Sequence, residues 1–391
     1  MTTGRIDSTI LIEEETLRDY KAERYLPISI GDVFNNRYRT IVKLGYGSAS
    51  TVWLCRDLVA PDKYAALKFY VNSSKKHREL GIYQHIQGLA SNHDGRHHIR
   101  KLLDFFDVKG PHGKHICLVH EPLGMSFDQV RSFTGGRPFD EDLIRQTFRP
   151  ILNGLDFLHK EANVIHTDVQ PNNLLMGIHE NTALDRLAEM ATTNFMPRKE
   201  LPDRSIYVSQ QMPLTKGLPS LTDFSEARCG KSLQSGLIMP NVYRAPEVIL
   251  GMAWGYPVDI WSFAMTLWDL FQPERLFSGR GEDGQYSESH HLAEMVAVLG
   301  TPPPEFLAAS SKTSAKYWDN NGKWVHELPI PVISLESSEK RLSREDKKMF
   351  LSFMRKMLQW MPDQRSNWQD IFFDEWLLAD LIQSGEIVRD G

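Results

Sequence analysis

The residues of this chain best suited to chemistry fall in short stretches that follow one another in a fixed order. The most specific is His166-Thr167-Asp168-Val169-Gln170-Pro171-Asn172-Asn173, which sets an acid and, five residues on, an amide in one short loop. A carboxylate such as Asp168 can accept the proton of a hydroxyl, or mainly orient that hydroxyl. The carbonyl oxygen of Asn173 is a hard donor of the kind Mg²⁺ takes. Further along, Thr222-Asp223-Phe224-Ser225 offers Asp223 as a second oxygen ligand, able to bridge Mg²⁺ and phosphates. Earlier, Gly45-Tyr46-Gly47-Ser48-Ala49-Ser50-Thr51-Val52 places two glycines in a turn. A backbone without Cβ can come close to phosphate, although a G-x-G turn alone is more often an ordinary hairpin. Between these lies Lys68, in Ala65-Ala66-Leu67-Lys68. An ammonium in an apolar strand needs a partner, and Glu79, eleven residues on, can hold it against phosphates. The alternative is a lysine snorkelling from an edge strand, with Glu79 solvated.

Other patterns carry less. Gly230-Lys231-Ser232 looks like the end of a phosphate-binding P-loop, but Ser225 stands where that loop needs glycine. His93, His97 and His98, and His290 and His291, lack an acid or cysteine at ligand spacing and read as solvated histidines. Cys55, Cys117 and Cys229 are far apart, with no C-x-x-C pair, so neither a disulfide framework nor a cysteine zinc site is expected. That usage suits a reducing compartment, cytoplasmic and/or nuclear. Lys75-Lys76-His77-Arg78 is too short and mixed for a nuclear signal and reads as a solvated helix face.

These residues need elements to position them. Tyr38–Tyr70 contains three short β-rich runs joined by turns, YRTIVKLG, STVWLCRDL and YAALKFYV, which predict an antiparallel meander. Residues 75–90 carry Leu80, Tyr83, Ile86 and Leu89 at helical spacing. Strand-like runs follow near Leu102–Val108 and His115–Val119. The remainder reads as helical: residues 143–160 and 345–359 are amphipathic, and 258–271 is apolar nearly all round, as in a helix buried in a large domain. The stretch 177–219 is polar and punctuated by proline and reads as an insertion loop; 309–341 reads as a surface excursion. The fold class is α+β, a small β-rich lobe followed by a larger helical one.

Composition agrees with a folded chain. Of 391 residues, 41% are hydrophobic and 24% charged, which excludes a mainly disordered protein. The net charge of -5 excludes a general basic footprint for nucleic acid. No apolar run approaches the ~18 residues of a membrane span, and the first residues lack the pattern of a signal peptide. No direct nucleic-acid or membrane partner is expected, and the chain is taken as a monomer.

With these motifs in order, the chain resembles a eukaryotic protein kinase from about Tyr38 to Trp376. His166–Asn173 matches the H-x-D-x-x-x-x-N catalytic loop, and Asp223-Phe224 the start of D-F-G. Ala245-Pro246-Glu247 follows 24 residues after Asp223. Tyr243-Arg244-Ala245-Pro246-Glu247 and Leu299-Gly300-Thr301-Pro302-Pro303 resemble the CMGC group, and Asp259-Ile260-Trp261-Ser262 resembles the opening of its buried helix. Within that group the likeness is to SR-protein kinases. It rests on Ile30–Tyr38, on Ser50–Leu54, on Thr167 between His166 and Asp168, and on a spacer of which 177–219 would be a short version.

The resemblance implies a two-lobed kinase domain over 38–376, with an N-lobe of about 38–120 and a C-lobe of about 124–376. Residues 1–37 would be an extension and 377–391 a tail. It implies a protein serine/threonine kinase using ATP and Mg²⁺ on protein substrates, Arg-Ser-rich ones among them. Lys68, Glu79, Asp168 and Gln170 would be catalytic, and Asn173 and Asp223 would hold the metal. Leu44, Gly45, Gly47, Ser50, Val52, Ala66, Lys68, Glu121, Leu123, Asn173 and Asp223 would surround the nucleotide. Cys117–Gly124 would be the hinge, with adenine on the Glu121 carbonyl and the Leu123 N–H. Asp259 would hold the catalytic-loop backbone and Arg365 would pair with Glu247. An acidic groove, with Glu282, Asp283 and Glu288 as contributors, would suit basic substrates. The Tyr-Arg-Ala-Pro-Glu segment disfavours a small-molecule kinase.

Four positions depart from the common pattern. Thr167 replaces the arginine that meets an activation-loop phosphate, so activity is expected not to depend on loop phosphorylation. Gln170 replaces a lysine on the γ-phosphate; the lost charge predicts roughly tenfold slowing, not abolition. Ser225 replaces the D-F-G glycine, and Pro240 stands where threonine is usual, near the substrate-binding loop. Gln170, Ser225 and Pro240 support the alternative of a pseudokinase acting as a nucleotide-binding scaffold.

Overall fold

Runs rich in β-branched and aromatic side chains favour strands, and the stretch from Val33 to His120 builds a sheet in the computed structural model, its central strands buried at nearly every residue. The described residues are 4–73, 78–193 and 196–387. They form two compact units, the first drawn from Met1–Tyr83, Arg100–Met125 and Leu175–Leu218. Among its strands, in chain order, are β1 (Arg5–Ile6), β2 (Val33–Phe34), β3 (Tyr38–Tyr46), β4 (Ser50–Asp57), β5 (Tyr64–Tyr70), β6 (Leu102–Gly110), β7 (Gly113–His120), β8 (Arg198–Glu200) and β9 (Ser205–Tyr207). The main sheet runs β2-β3-β4-β5-β7-β6, antiparallel throughout.

The insertion departs from its reading as a loop. It holds the helix Thr182–Thr193 and strands β8 and β9, and it is part of this unit's core. Leu184, Leu187 and Ala188 sit at helical spacing and bury against the sheet residues Trp53, Cys55 and Tyr64. Tyr207 meets Trp53 edge-on at 5.7 Å between ring centres. Prolines and polar residues obscured a helix whose apolar side is only one stripe wide. The amino-terminal extension is also structured: β1 pairs in parallel with β8, which pairs antiparallel with β9.

The second unit comprises the described residues of Gln84–Ile99, Ser126–Leu174 and Pro219–Gly391. The helix Glu141–Lys160 starts on an Asp140 side chain that accepts from the Leu143 N–H. The helix Pro257–Phe271 is buried at every residue from Val258 on, as its all-round apolar sequence requires. Arg344–Met357 places Phe350 near Trp268 and Trp376, at 5.8 and 4.9 Å. The reading of 309–341 as a surface excursion holds only in part: Tyr317, Trp318 and Leu335 are buried. Residues 75–77 of the basic run lie outside the described residues. Among the described residues no helix is long and apolar enough to cross a membrane.

Candidate active site

The first unit holds the lysine and the glycine-rich turn. Lys68 lies on β5, opposite Val52 of β4 on one side and Leu118 of β7 on the other. It is therefore on an interior strand and does not snorkel from an edge. Its Nζ donates to the Glu79 carboxylate at 2.7 Å, with Glu79 almost wholly buried. Glu79 opens the helix Arg78–Gly88, where an acid also complements the dipole. The Tyr70 hydroxyl donates to the same Glu79 oxygen, a partner the spacing of motifs does not reveal.

The turn between β3 and β4 is closed by the Gly47 N–H donating to the Ser50 carbonyl at 2.8 Å. A Cβ on Gly45 or Gly47 would meet no protein atom within 4 Å, and neither residue has a positive φ. Nothing in the protein's own packing or backbone demands glycine at either position. Ser50 and Val52 lie on β4, Leu44 on β3 and Ala66 on β5, opposite both Leu54 and His120. Beyond β7, Arg100 donates to the Glu121 carbonyl at 3.2 Å, so that carbonyl already has one partner. The Gly124 N–H donates to the Met176 carbonyl at 2.7 Å. A Cβ on Gly124 would stand 2.3 Å from the Thr215 hydroxyl, so here the insertion itself requires glycine.

The second unit assembles the loop around Asp168. The Gln170 amide donates to one Asp168 oxygen at 2.7 Å, and the Asn173 amide donates to the other at 2.7 Å and to the Asp168 carbonyl at 2.8 Å. Burial pushes the Asp168 carboxyl up to about 6, with the Asp223 charge adding to the rise while His166, Gln170 and Asn173 oppose it. Because the Asn173 NH₂ is committed to Asp168, its Oδ1 is left as the acceptor. The Thr222 N–H and hydroxyl both donate to the Asn173 carbonyl, at 2.9 and 3.0 Å, which sets Asp223 one residue from that junction. Asp223 has φ +62° and Thr167 φ +66°, rare for non-glycine residues and costly for a β-branched one.

The strain at Thr167 is held by two bonds. Its N–H donates to Asp259 at 2.8 Å and its hydroxyl to the Glu226 carbonyl at 2.8 Å. Asp259, wholly buried, also accepts from the His166 N–H at 2.7 Å and from His159 at 2.8 Å. His166 in turn reaches the Thr222 carbonyl at 3.1 Å and lies 5.1 Å from the Phe224 ring. Arg365 forks onto Glu247 with two bonds of 2.7 Å, both side chains buried. The reading of isolated solvated histidines fails at His291, which is fully buried, and at His93, bonded to Asp156 at 3.1 Å. No cluster of three metal-ligating side chains of the His, Cys, Asp and Glu types occurs among the described residues. An Asp–Asn pair is outside such a cluster by its chemistry.

A family profile described as a protein kinase domain matches residues 38–377. The chain belongs to the protein kinase family. Among relatives of this kinase, a serine/threonine protein kinase of Aspergillus fumigatus is 41% identical over 379 residues, covering 96% of this chain and 93% of its own. The serine/threonine-protein kinase SRPK of Physarum polycephalum is 31% identical over 388 residues, covering 92% of this chain and 90% of its own. A solved kinase domain superposes with a TM-score of 0.69 over 90% of this chain and 99% of its own, at 22% identity, which speaks for the fold. The kinase is a serine/threonine enzyme of the SR-protein kinase type, with a β-sheet N-lobe and a helical C-lobe.

Proposed function

We propose that this kinase transfers the γ-phosphate of ATP to serine hydroxyls in Arg-Ser-rich proteins. The observation that carries the reading is Asp168, half-buried, with both carboxylate oxygens engaged by Gln170 and Asn173. Such a carboxylate is oriented to meet a substrate hydroxyl and to take its proton as the new P–O bond forms and the bond from the γ-phosphorus to the bridging oxygen breaks, ADP leaving with that oxygen. Lys68, fixed by Glu79 and Tyr70, would bind and orient the nucleotide phosphates. The open space at Gly45 and Gly47 fits a close backbone approach to the same phosphates. Leu44, Val52 and Ala66 would line the adenine, and the Leu123 N–H would donate to it beside the Glu121 carbonyl.

The donor set fits Mg²⁺: the Asp223 carboxylate and the Asn173 Oδ1 are hard oxygens, and the Asn173 amide is anchored the right way round. When bound, Mg²⁺ neutralises charge on the phosphate oxygens. Support for the substrate comes from a Homo sapiens relative named SRSF protein kinase 3, 25% identical over 521 residues, covering 93% of this chain and 90% of its own. The exposed acids Glu282, Asp283 and Glu288 suit basic substrates. We further infer a monomer working in the cytoplasm and/or nucleus, in keeping with three free cysteines.

The test is ATP turnover with Mg²⁺ on an Arg-Ser repeat peptide, set beside a mixed basic peptide pool. Phosphoserine formed by the wild type and reduced at least 100-fold in both Lys68→Met and Asp168→Ala is the expected result. Turnover on the mixed pool alone would remove the Arg-Ser assignment; turnover unchanged in Asp168→Ala would remove the role of Asp168.

A further inference from the structure

The amino-terminal extension and the insertion meet in the first unit, and their meeting point touches the glycine-rich turn. Tyr25, from the extension, is buried, and its hydroxyl donates to the Gly47 carbonyl at 3.0 Å. Gly47 is the second glycine of the turn, and its carbonyl direction sets the direction of the following Ser48 N–H, since the peptide unit is planar. Tyr25 is itself held from several sides. Its ring lies 5.3 Å from that of Tyr20. The Arg204 guanidinium, from the insertion and almost wholly buried, donates to the Ala22 and Tyr25 carbonyls. Neighbouring residues are tied to the end of β5: the Asn72 N–H donates to the Arg24 carbonyl at 3.0 Å and its amide to the Glu23 carbonyl at 2.8 Å. A single buried phenol, itself held by the extension and the insertion, thus reaches a turn that contains two glycines and whose other anchors are backbone bonds, Gly47 N–H to the Ser50 carbonyl and Val71 N–H to the Ala49 carbonyl.

From this geometry we propose that Tyr25 is a positioning residue for ATP binding: it holds the glycine-rich turn in its phosphate-receiving conformation, and Arg204 of the insertion holds Tyr25. The inference rests on the reading of Gly45–Val52 as the phosphate loop. The tether removes conformational freedom from the turn before nucleotide arrives, so ordering it on binding costs less. It gives the extension and the insertion a shared task in the nucleotide half of the reaction, distinct from the chemistry at Asp168.

Tyr25→Phe keeps the buried ring and removes only the hydroxyl. Loss of one neutral hydrogen bond of about 1 kcal/mol corresponds to a KM for ATP raised roughly 3- to 10-fold, with kcat within about twofold of wild type. In the nucleotide-free protein, amide exchange at Gly47–Ala49 is expected to quicken while the melting temperature falls by only about 1–3 °C, the scale of one such bond. Arg204→Gln should move KM in the same direction, by less. A wild type that binds no ATP defeats the phosphate-loop reading, and the exchange rates of the free protein then still decide the tether. A wild type that binds ATP, beside a Tyr25→Phe variant of equal affinity and equal exchange, overturns the proposal. So does a drop in melting temperature with KM unchanged, which would make Tyr25 part of the packing alone.

Discussion

At the scale of residues, Asp168 illustrates how a loop of ordinary polar groups tunes one carboxylate. Burial raises it to about 6, and the Gln170 and Asn173 amides hold it part of the way back. The sign follows directly. A carboxyl must be ionised to accept a proton, so activity is lost as pH falls through about 6 and is full above it. The pH profile of kcat/KM is expected to show that acid limb. Gln170→Lys places a positive charge at the position of an amide now 2.7 Å from Asp168. It should lower the limb by about one pH unit and raise the rate roughly tenfold. A limb that does not move in this variant would mean that another group controls it. Thr167 belongs to the same scale. Its hydroxyl is spent on the Glu226 carbonyl, and a threonine offers no cationic receptor for a loop phosphate.

At the scale of elements, the extension and the insertion behave as parts of the sheet they cover. Lys43 on β3 is buried and pairs with Glu13 and Glu14 of the extension. Lys199 on β8 is buried and donates to both oxygens of Glu15, at 2.9 and 3.0 Å. Glu13 also accepts from the Ser209 N–H and hydroxyl. Three consecutive acids therefore join a core strand to the insertion. Removing one side of such a pair leaves a buried charge uncompensated. Glu13→Ala with Glu14→Ala should cost about 3–5 kcal/mol in urea unfolding, and adding Lys43→Met should recover most of it. A triple variant no more stable than the double would show that the loss came from packing of the extension and not from the stranded ammonium.

At the scale of the whole molecule, stability also depends on groups outside the catalytic loop. His291 lies in the helix Glu288–Leu299, fully buried, with its Nδ1 3.1 Å from the Tyr286 hydroxyl and the Arg244 charge nearby. Burial first, and Arg244 second, hold it down to about 3 from 6.5. A depressed histidine is neutral in the fold and takes up a proton on unfolding. Its contribution is thus complete above the unfolded value and is lost as pH falls from about 6.5 toward 3. Between pH 7 and pH 5 this amounts to about 2 kcal/mol. Chemical unfolding of His291→Phe should show a shallower decline over that interval, whatever its starting stability. Parallel curves for variant and wild type would assign the acid sensitivity elsewhere.

What the sequence alone determined was the set of local patterns. The β-rich runs from Tyr38 to Tyr70 form strands as their composition predicts, and a run apolar on nearly all sides, residues 258–271, forms a buried helix. The spacing of Asp168 and Asn173 is legible because a short loop has few ways to arrange five residues. The ion pair of Arg365 with Glu247 was legible only through family resemblance, and that of Lys68 with Glu79 stood beside the alternative of a snorkelling lysine, since no local rule joins residues on separate elements. The tertiary structure alone decided the remainder. Tyr70 on Glu79, Tyr25 on Gly47, the buried lysines Lys43 and Lys199, and the helix within 177–219 depend on segments far apart in the chain. A polar residue advertises nothing about its partner until the backbone brings that partner within hydrogen-bonding distance. An amphipathic stripe likewise reads as a loop until there is a sheet to cover.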